Sequence, residues 1–143
     1  MTARATVAHM GFALALICGC ASTPTTEAIV VDGATTTVAG WLSTTGQWAV
    51  YQNRRFESYS PYGLAEEKKC VTLVNGTGIA AETFAHLEGH RVVVSGQAIR
   101  YDALPIGPSS ADRLMSKRYF GGDLVEDYCW REWVFVAREI KPQ

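Results

Sequence analysis

The chain has 143 residues, with 13 Lys+Arg against 14 Asp+Glu, a formal net charge of −1, and 48% hydrophobic and 19% charged residues. This length suits one compact domain, and the composition is that of a globular chain, which excludes general disorder and collagen-like repeats. The near-zero charge gives no electrostatic reason to expect a nucleic-acid binder, since such modules carry a clear basic excess.

The chain opens with a short n-region made positive by Arg4, followed by an apolar run over Met10 and residues 12–17. That is the layout of a secretory signal peptide. A transmembrane anchor needs about 20 apolar residues to cross a ~30 Å hydrocarbon core, and the run gives way to the polar residues 22–26 well before that length. The run ends in Ile17-Cys18-Gly19-Cys20, which resembles the lipobox of bacterial lipoproteins: an aliphatic residue, then a small residue, then an obligatory cysteine. The resemblance implies that the Cys20 thiol takes a diacylglyceryl group as a thioether and that residues 1–19 are removed. Cys18 fits the pattern poorly because the bulky Ile17 would stand at the cleavage position. In lipoproteins the new N-terminal amine is acylated as well, and two or more chains anchor stably where one binds only marginally. Ala21, rather than Asp, follows the cysteine, which by resemblance to the Gram-negative sorting rule implies the outer membrane, facing the periplasm. An ordinary cleaved secretory signal is the other reading of these residues.

Residues 20–33 are expected to be the lipidated N-terminus and a flexible tether, because 21–27 are small and polar with one Pro and have little apolar surface to bury. The folded domain is expected over 34–143. Loss of Arg4 leaves 12 Lys+Arg against 14 Asp+Glu in the mature chain, a net charge of −2. With Cys18 discarded and Cys20 lipidated, Cys70 and Cys129 remain in an oxidising compartment, so a Cys70–Cys129 disulfide is expected over two free thiols.

β-branched and aromatic residues predict a first strand over 35–42, a turn over 43–46, and a return strand over 47–51 that sets Trp48 and Val50 on one side and Ala49 and Tyr51 on the other. Residues 54–69 contain Pro61-Tyr62-Gly63 and read as a loop. A third strand is expected over 70–74. The period then changes: Ala80, Phe84 and Leu87 share one face of a short helix, and Gly89 suits its C-terminal stop. Residues 91–101 form a long fourth strand with Gly96 at a bulge or bend. Residues 102–127 read as mainly loop, and 131–140 as the fifth strand. The order β-β-β-α-β-β resembles the OB-fold, a five-stranded Greek-key barrel whose helix plugs one end. Gly40 and Gly96 stand where such long strands bend. The alternative is an open antiparallel α+β sheet with one helix on a face.

His86 and His90, with Glu82 and Glu88, form the tightest acid/imidazole cluster, and their spacing is one that helical zinc ligands use. The sequence fits neither HExxH nor HxxEH, and Gly89 should end the helix before His90, so a solvated helix end is the preferred reading. No GxSxG elbow or phosphate loop occurs, and no cofactor is expected. Two loops place cations among aromatics: Arg54, Arg55, Phe56, Tyr59 and Tyr62 in one, and Lys117, Arg118, Tyr119 and Phe120 in the other. They are the candidate surface for a protein partner or an anionic or sugar-like envelope ligand. The plainer account is that these aromatics cover the barrel ends. The functional expectation is a non-enzymatic, lipid-anchored envelope protein that binds a periplasmic protein or envelope ligand, with an inhibitor or immunity-type protein as one version. The rivals are a small envelope hydrolase or metal enzyme using His86 and His90, and a purely structural lipoprotein.

Overall fold

The computed structural model describes residues 29–54, 69–76, 78–129 and 131–143. The expected signal peptide, Cys20 and most of the expected tether lie outside the described residues, as do Arg55, Phe56, Tyr59 and Tyr62. In chain order the elements are β1 (Thr37–Ser43), β2 (Ala49–Tyr51), β3 (Cys70–Asn75), α1 (Ala81–His86), β4 (Arg91–Arg100), a 3-10 turn (Tyr101–Ala103), α2 (Ser110–Leu114), β5 (Arg118–Phe120), β6 (Asp123–Val125) and β7 (Trp133–Pro142).

Five of the strands close into a barrel in the order β1-β2-β3-β7-β4. All neighbours are antiparallel except β3 and β7, which run parallel. This is the small OB-like barrel that the element order predicts. The open α+β sheet is excluded because β1 pairs with β4 from Thr37↔Ser95 to Trp41↔Arg91 and closes the barrel.

Strand periodicity determines what fills it. Val38 and Leu42 of β1, Val50 of β2, Val71 and Leu73 of β3, Val92 and Val94 of β4, and Phe135, Ala137 and Ile140 of β7 form one buried cluster. Phe84 is the fully buried residue of α1; it joins this cluster and stacks on Trp48 with ring centroids 4.0 Å apart. The helix thus acts through one aromatic side chain, with Leu87 half-buried beside it. Ala80, expected on the same face, is instead the exposed residue that precedes the helix. Ile29 and Val31, in the stretch expected as tether, also pack against the cluster.

Two glycines permit the curvature. At Gly96 the pairing with β7 shifts from Ser95↔Glu139 to Gly96↔Ala137, a bulge that leaves Arg138 without an opposite residue. A Cβ on Gly96 would lie 2.0 Å from the Val136 carbonyl oxygen, and one on Gly40 would lie 2.4 Å from that of Tyr51. Both strands come too close to a neighbouring backbone for any side chain there.

The segment between β4 and β7, expected as mainly loop, corrects the sequence reading. It carries α2 and the β5–β6 hairpin, folded onto the outside of the barrel. Val74, Val134 and Val136, the outward residues of β3 and β7, are buried with Leu104 and Val125 of this insert, and Ile99, Tyr101 and Phe120 pack around them. A five-residue helix and three-residue strands are too short to show a period, and the outer cluster is what holds them. The Gly121-Gly122 turn was the readable signal: both residues have positive φ, 60° and 95°, as a tight two-residue hairpin requires.

The expected disulfide is present. Cys70 and Cys129, 0% and 2% exposed, are bonded and packed with Ala49, Tyr51 and Trp41 on the outer face. The Cys129 amide donates to the Thr72 hydroxyl at 3.2 Å, so the end of the insert is fastened to β3 twice.

Candidate functional site

The β1–β2 loop turns at Gly46, with φ of 76°. It is positioned from below by Glu88, whose carboxylate accepts from the Thr44 amide and from the Thr44 hydroxyl at 2.5 Å. Beside it, the β2–β3 ladder ends where the Leu73 amide donates to the Trp48 carbonyl at 2.7 Å. Gln47 then takes over: its Nε2 donates to the Leu73 carbonyl at 3.0 Å, and its Oε1 accepts from the Glu126 amide at 3.1 Å. One side chain therefore clips the first loop, β3 and the insert together. Gln47→Ala removes both bonds, at about 1 kcal/mol each. The expected result is a loss of about 2 kcal/mol in thermal unfolding and faster exchange of the Glu126 amide, with the barrel amides unaffected.

This arrangement encloses a cleft of about 370 Å³ between the first loop, the end of β3 and the hairpin. Trp48, Phe120 and Leu124 supply apolar walls, while Gln47, Asn75 and Asp123 supply polar groups. Asn75 donates from Nδ2 to the Ile79 carbonyl at 2.9 Å, and its buried Oδ1 accepts from no group among the described residues. Such an orphan acceptor is costly and uncommon in folded proteins.

The residues read from the sequence as a ligand surface fall in different places. Arg54 lies 5.4 Å from the centroid of the Trp41 ring, beside the disulfide cluster. Lys117, Arg118 and Tyr119 make contacts within the insert. Arg118 donates to the Leu104 carbonyl at 2.8 Å, and the Lys117 ammonium lies 3.9 Å from Asp112. Tyr119 packs on Gly107, where a Cβ would come within 2.4 Å of its ring. Only Phe120 of the four lines the cleft. Arg118, Tyr119 and Phe120 are half-buried and Lys117 is exposed. Gln47, Trp48, Asn75, Asp123 and Leu124 were not singled out as ligand contacts. The available signal was that OB-fold ligands use the strand 2–3 face with the loops after strands 1 and 4.

Asp112 anchors the start of α2. Its amide donates to the Ser109 hydroxyl at 3.0 Å, and that hydroxyl donates to its carboxylate at 2.5 Å. The bond from Ser109, with a further one from Tyr119, holds the Asp112 carboxyl below its ordinary value. A depressed carboxyl stabilises the fold fully above the ordinary value of about 3.9, and that stabilisation disappears as pH falls through the lower folded value. Acidification below about pH 4 is therefore expected to loosen α2 and Tyr119. NMR signals of Ser109 and Tyr119 should move together in an acid titration, and Asp112→Asn should abolish the shared step.

Burial and the Tyr128 hydroxyl beside it push the Tyr51 hydroxyl well above the ordinary tyrosine range. Arg131 donates to the carbonyls of Cys70 and Ile29, and its burial lowers its pKa from the usual arginine value. It binds the N-terminal segment to the disulfide strand. His86 closes α1, whereas His90 lies beyond Gly89, whose φ is 71°, and its Nδ1 is 3.0 Å from the Glu88 carbonyl. The two histidines do not share a helix face, so the helical zinc-ligand geometry is not formed. Comparisons of this chain with protein-family models, curated proteins and solved structures find no match.

Proposed function

We propose that this chain is a non-enzymatic cell-envelope protein, anchored by lipid on Cys20 at the periplasmic face of the outer membrane, whose OB-like domain binds a protein or envelope ligand in the cleft beside Trp48. The observation that carries this reading is the cleft's position, where the loop after β1 and the insert after β4 meet the end of β3. Those are the segments through which OB-folds bind their ligands. Among the described residues, the one ionisable side chain of the cleft lining is the carboxylate of Asp123, which repels phosphate and directs the reading away from nucleic acid. An inhibitor of a cell-wall enzyme is one version of such a binder.

Two measurements test this. Cys20→Ser should move the protein from the membrane to the soluble periplasmic fraction, and retention in the membrane overturns the anchor. Titrating the purified Cys20→Ser chain with solubilised envelope components should shift the amide signals of Gln47, Trp48, Asp123 and Leu124. Shifts confined to other parts of the barrel overturn the assignment of the cleft.

A further inference from the structure

We infer that the occupant of this cleft is an extended polypeptide segment that adds as a third strand to the free edge of β6 and pairs with the main chain of Leu124. The inference rests on the reading of the cleft as the binding site and deepens it by naming the ligand class. Its basis is the hydrogen-bond pattern of the hairpin. In an antiparallel ladder, opposite residues alternate between pairs that exchange hydrogen bonds and pairs whose N–H and C=O turn outward. Tyr119 is opposite Leu124, and the Tyr119 amide donates away from β6, to the Pro105 carbonyl at 2.9 Å. The Gly107 amide bonds to the Lys117 carbonyl on that same side at 3.1 Å. Tyr119↔Leu124 is thus an outward-facing pair. The Leu124 N–H and C=O turn away from β5 on the opposite edge, where β6 has no partner strand among the described residues. Leu124 is 41% exposed and lines the cleft.

The facing wall repeats the feature. The Gly76 amide bonds to Ala137 of β7, and the Leu73 amide bonds to Trp48 on the other side. By alternation Asn75 faces the Trp48 side, but β2 pairs with β3 only as far as Thr72. Past the Gln47 clip, the β3 edge at Asn75 therefore has no strand beside it among the described residues. A donor and an acceptor held at strand spacing match a peptide backbone, and in strand addition main-chain bonds supply affinity while side-chain pockets supply specificity. Trp48 and Phe120 favour an apolar side chain on the guest. Asp123, with Glu126 just beyond β6, favours a neighbouring cation over an anion.

The test uses the purified, disulfide-intact Cys20→Ser chain and a displayed library of short random peptides. Enriched peptides are expected to pair an apolar residue with Lys or Arg and to slow exchange of the Leu124 amide. N-methylation of the guest residue facing Leu124 should weaken binding roughly tenfold, the equivalent of one lost main-chain bond, while methylation of its neighbour should have little effect. Leu124→Pro removes only an outward N–H on an edge strand and should weaken binding to a similar degree, whereas Leu124→Ala, which keeps that N–H, should weaken it less. Peptides that bind with no sensitivity to backbone methylation, or without protecting Leu124, overturn the inference. If no peptide is enriched but soluble glycan strands shift Gln47 and Trp48, the peptide class is wrong and the binding cleft stands. If neither class perturbs the cleft, both readings fall.

Discussion

Replacing Cys70 and Cys129 together by alanine is expected to lower the stability of the domain by about 4 kcal/mol, the chain-entropy value for a loop of this length. For a domain of this size that corresponds to a fall in Tm of roughly 20 °C. The bond closes 59 residues of chain separation between β3 and the end of the insert, with both sulfurs buried against Tyr51 and Trp41. Its loss leaves the insert held by the outer cluster around Val74 and Val136, the Gln47 clip and the Cys129–Thr72 bond. Hydrogen exchange in the variant should therefore rise first at β6 and the residues after it, ahead of β1 and β4. Calorimetry of the two proteins checks the magnitude, and a Tm within a few degrees of the parent would show that the clasp is redundant.

Phe84→Ala is the second large effect. Phe84 is fully buried and is the side chain by which α1 enters the barrel. Truncation removes its transfer free energy and leaves a cavity lined by β-strand valines that cannot collapse, at about 3–5 kcal/mol. It also takes away the ring against which Trp48 stacks at 4.0 Å, and such a pair is worth about 0.5–1.5 kcal/mol beyond burial. Trp48 is a wall of the cleft, so binding should weaken together with stability. Phe84→Leu refills most of the space without restoring the stack. It is expected to recover most of the stability and less of the binding, a split that denaturation and titration on the same samples would reveal.

The barrel was legible because β1, β4 and β7 are long enough to show their period. Val38 and Leu42, or Val92 and Val94, alternate with outward residues, and burial follows that alternation. Gly96 was readable as a bend because its Cβ would collide with backbone. The insert was not legible as structure. Its helix and strands are a few residues each, and their partners are the outward faces of β3 and β7, about which the local sequence carries no information. Lys117, Arg118 and Tyr119 looked like a surface patch because cations among aromatics are common to ligand sites and to small packed clusters. Their bonds to Asp112 and Leu104 and the packing of Tyr119 on Gly107 are partners inside the insert that the local sequence does not show.

What the sequence determined by itself is local in origin: a mainly β domain, the order of its elements, and the pairing of the two cysteines left once a lipobox-like segment is set aside. These follow from side-chain period, turn chemistry and redox arithmetic, which act over a few residues or on counts. The closure of β1 on β4, the folding of the insert over β3 and β7, and the cleft belong to the tertiary structure. Gln47 meets Glu126 across 79 residues of chain, and the free edges at Leu124 and Asn75 arise from strands that stop short of their neighbours. An unpaired backbone group has no sequence signature, because every residue but proline carries the same donor and acceptor, and only the arrangement of strands decides which are left unmatched.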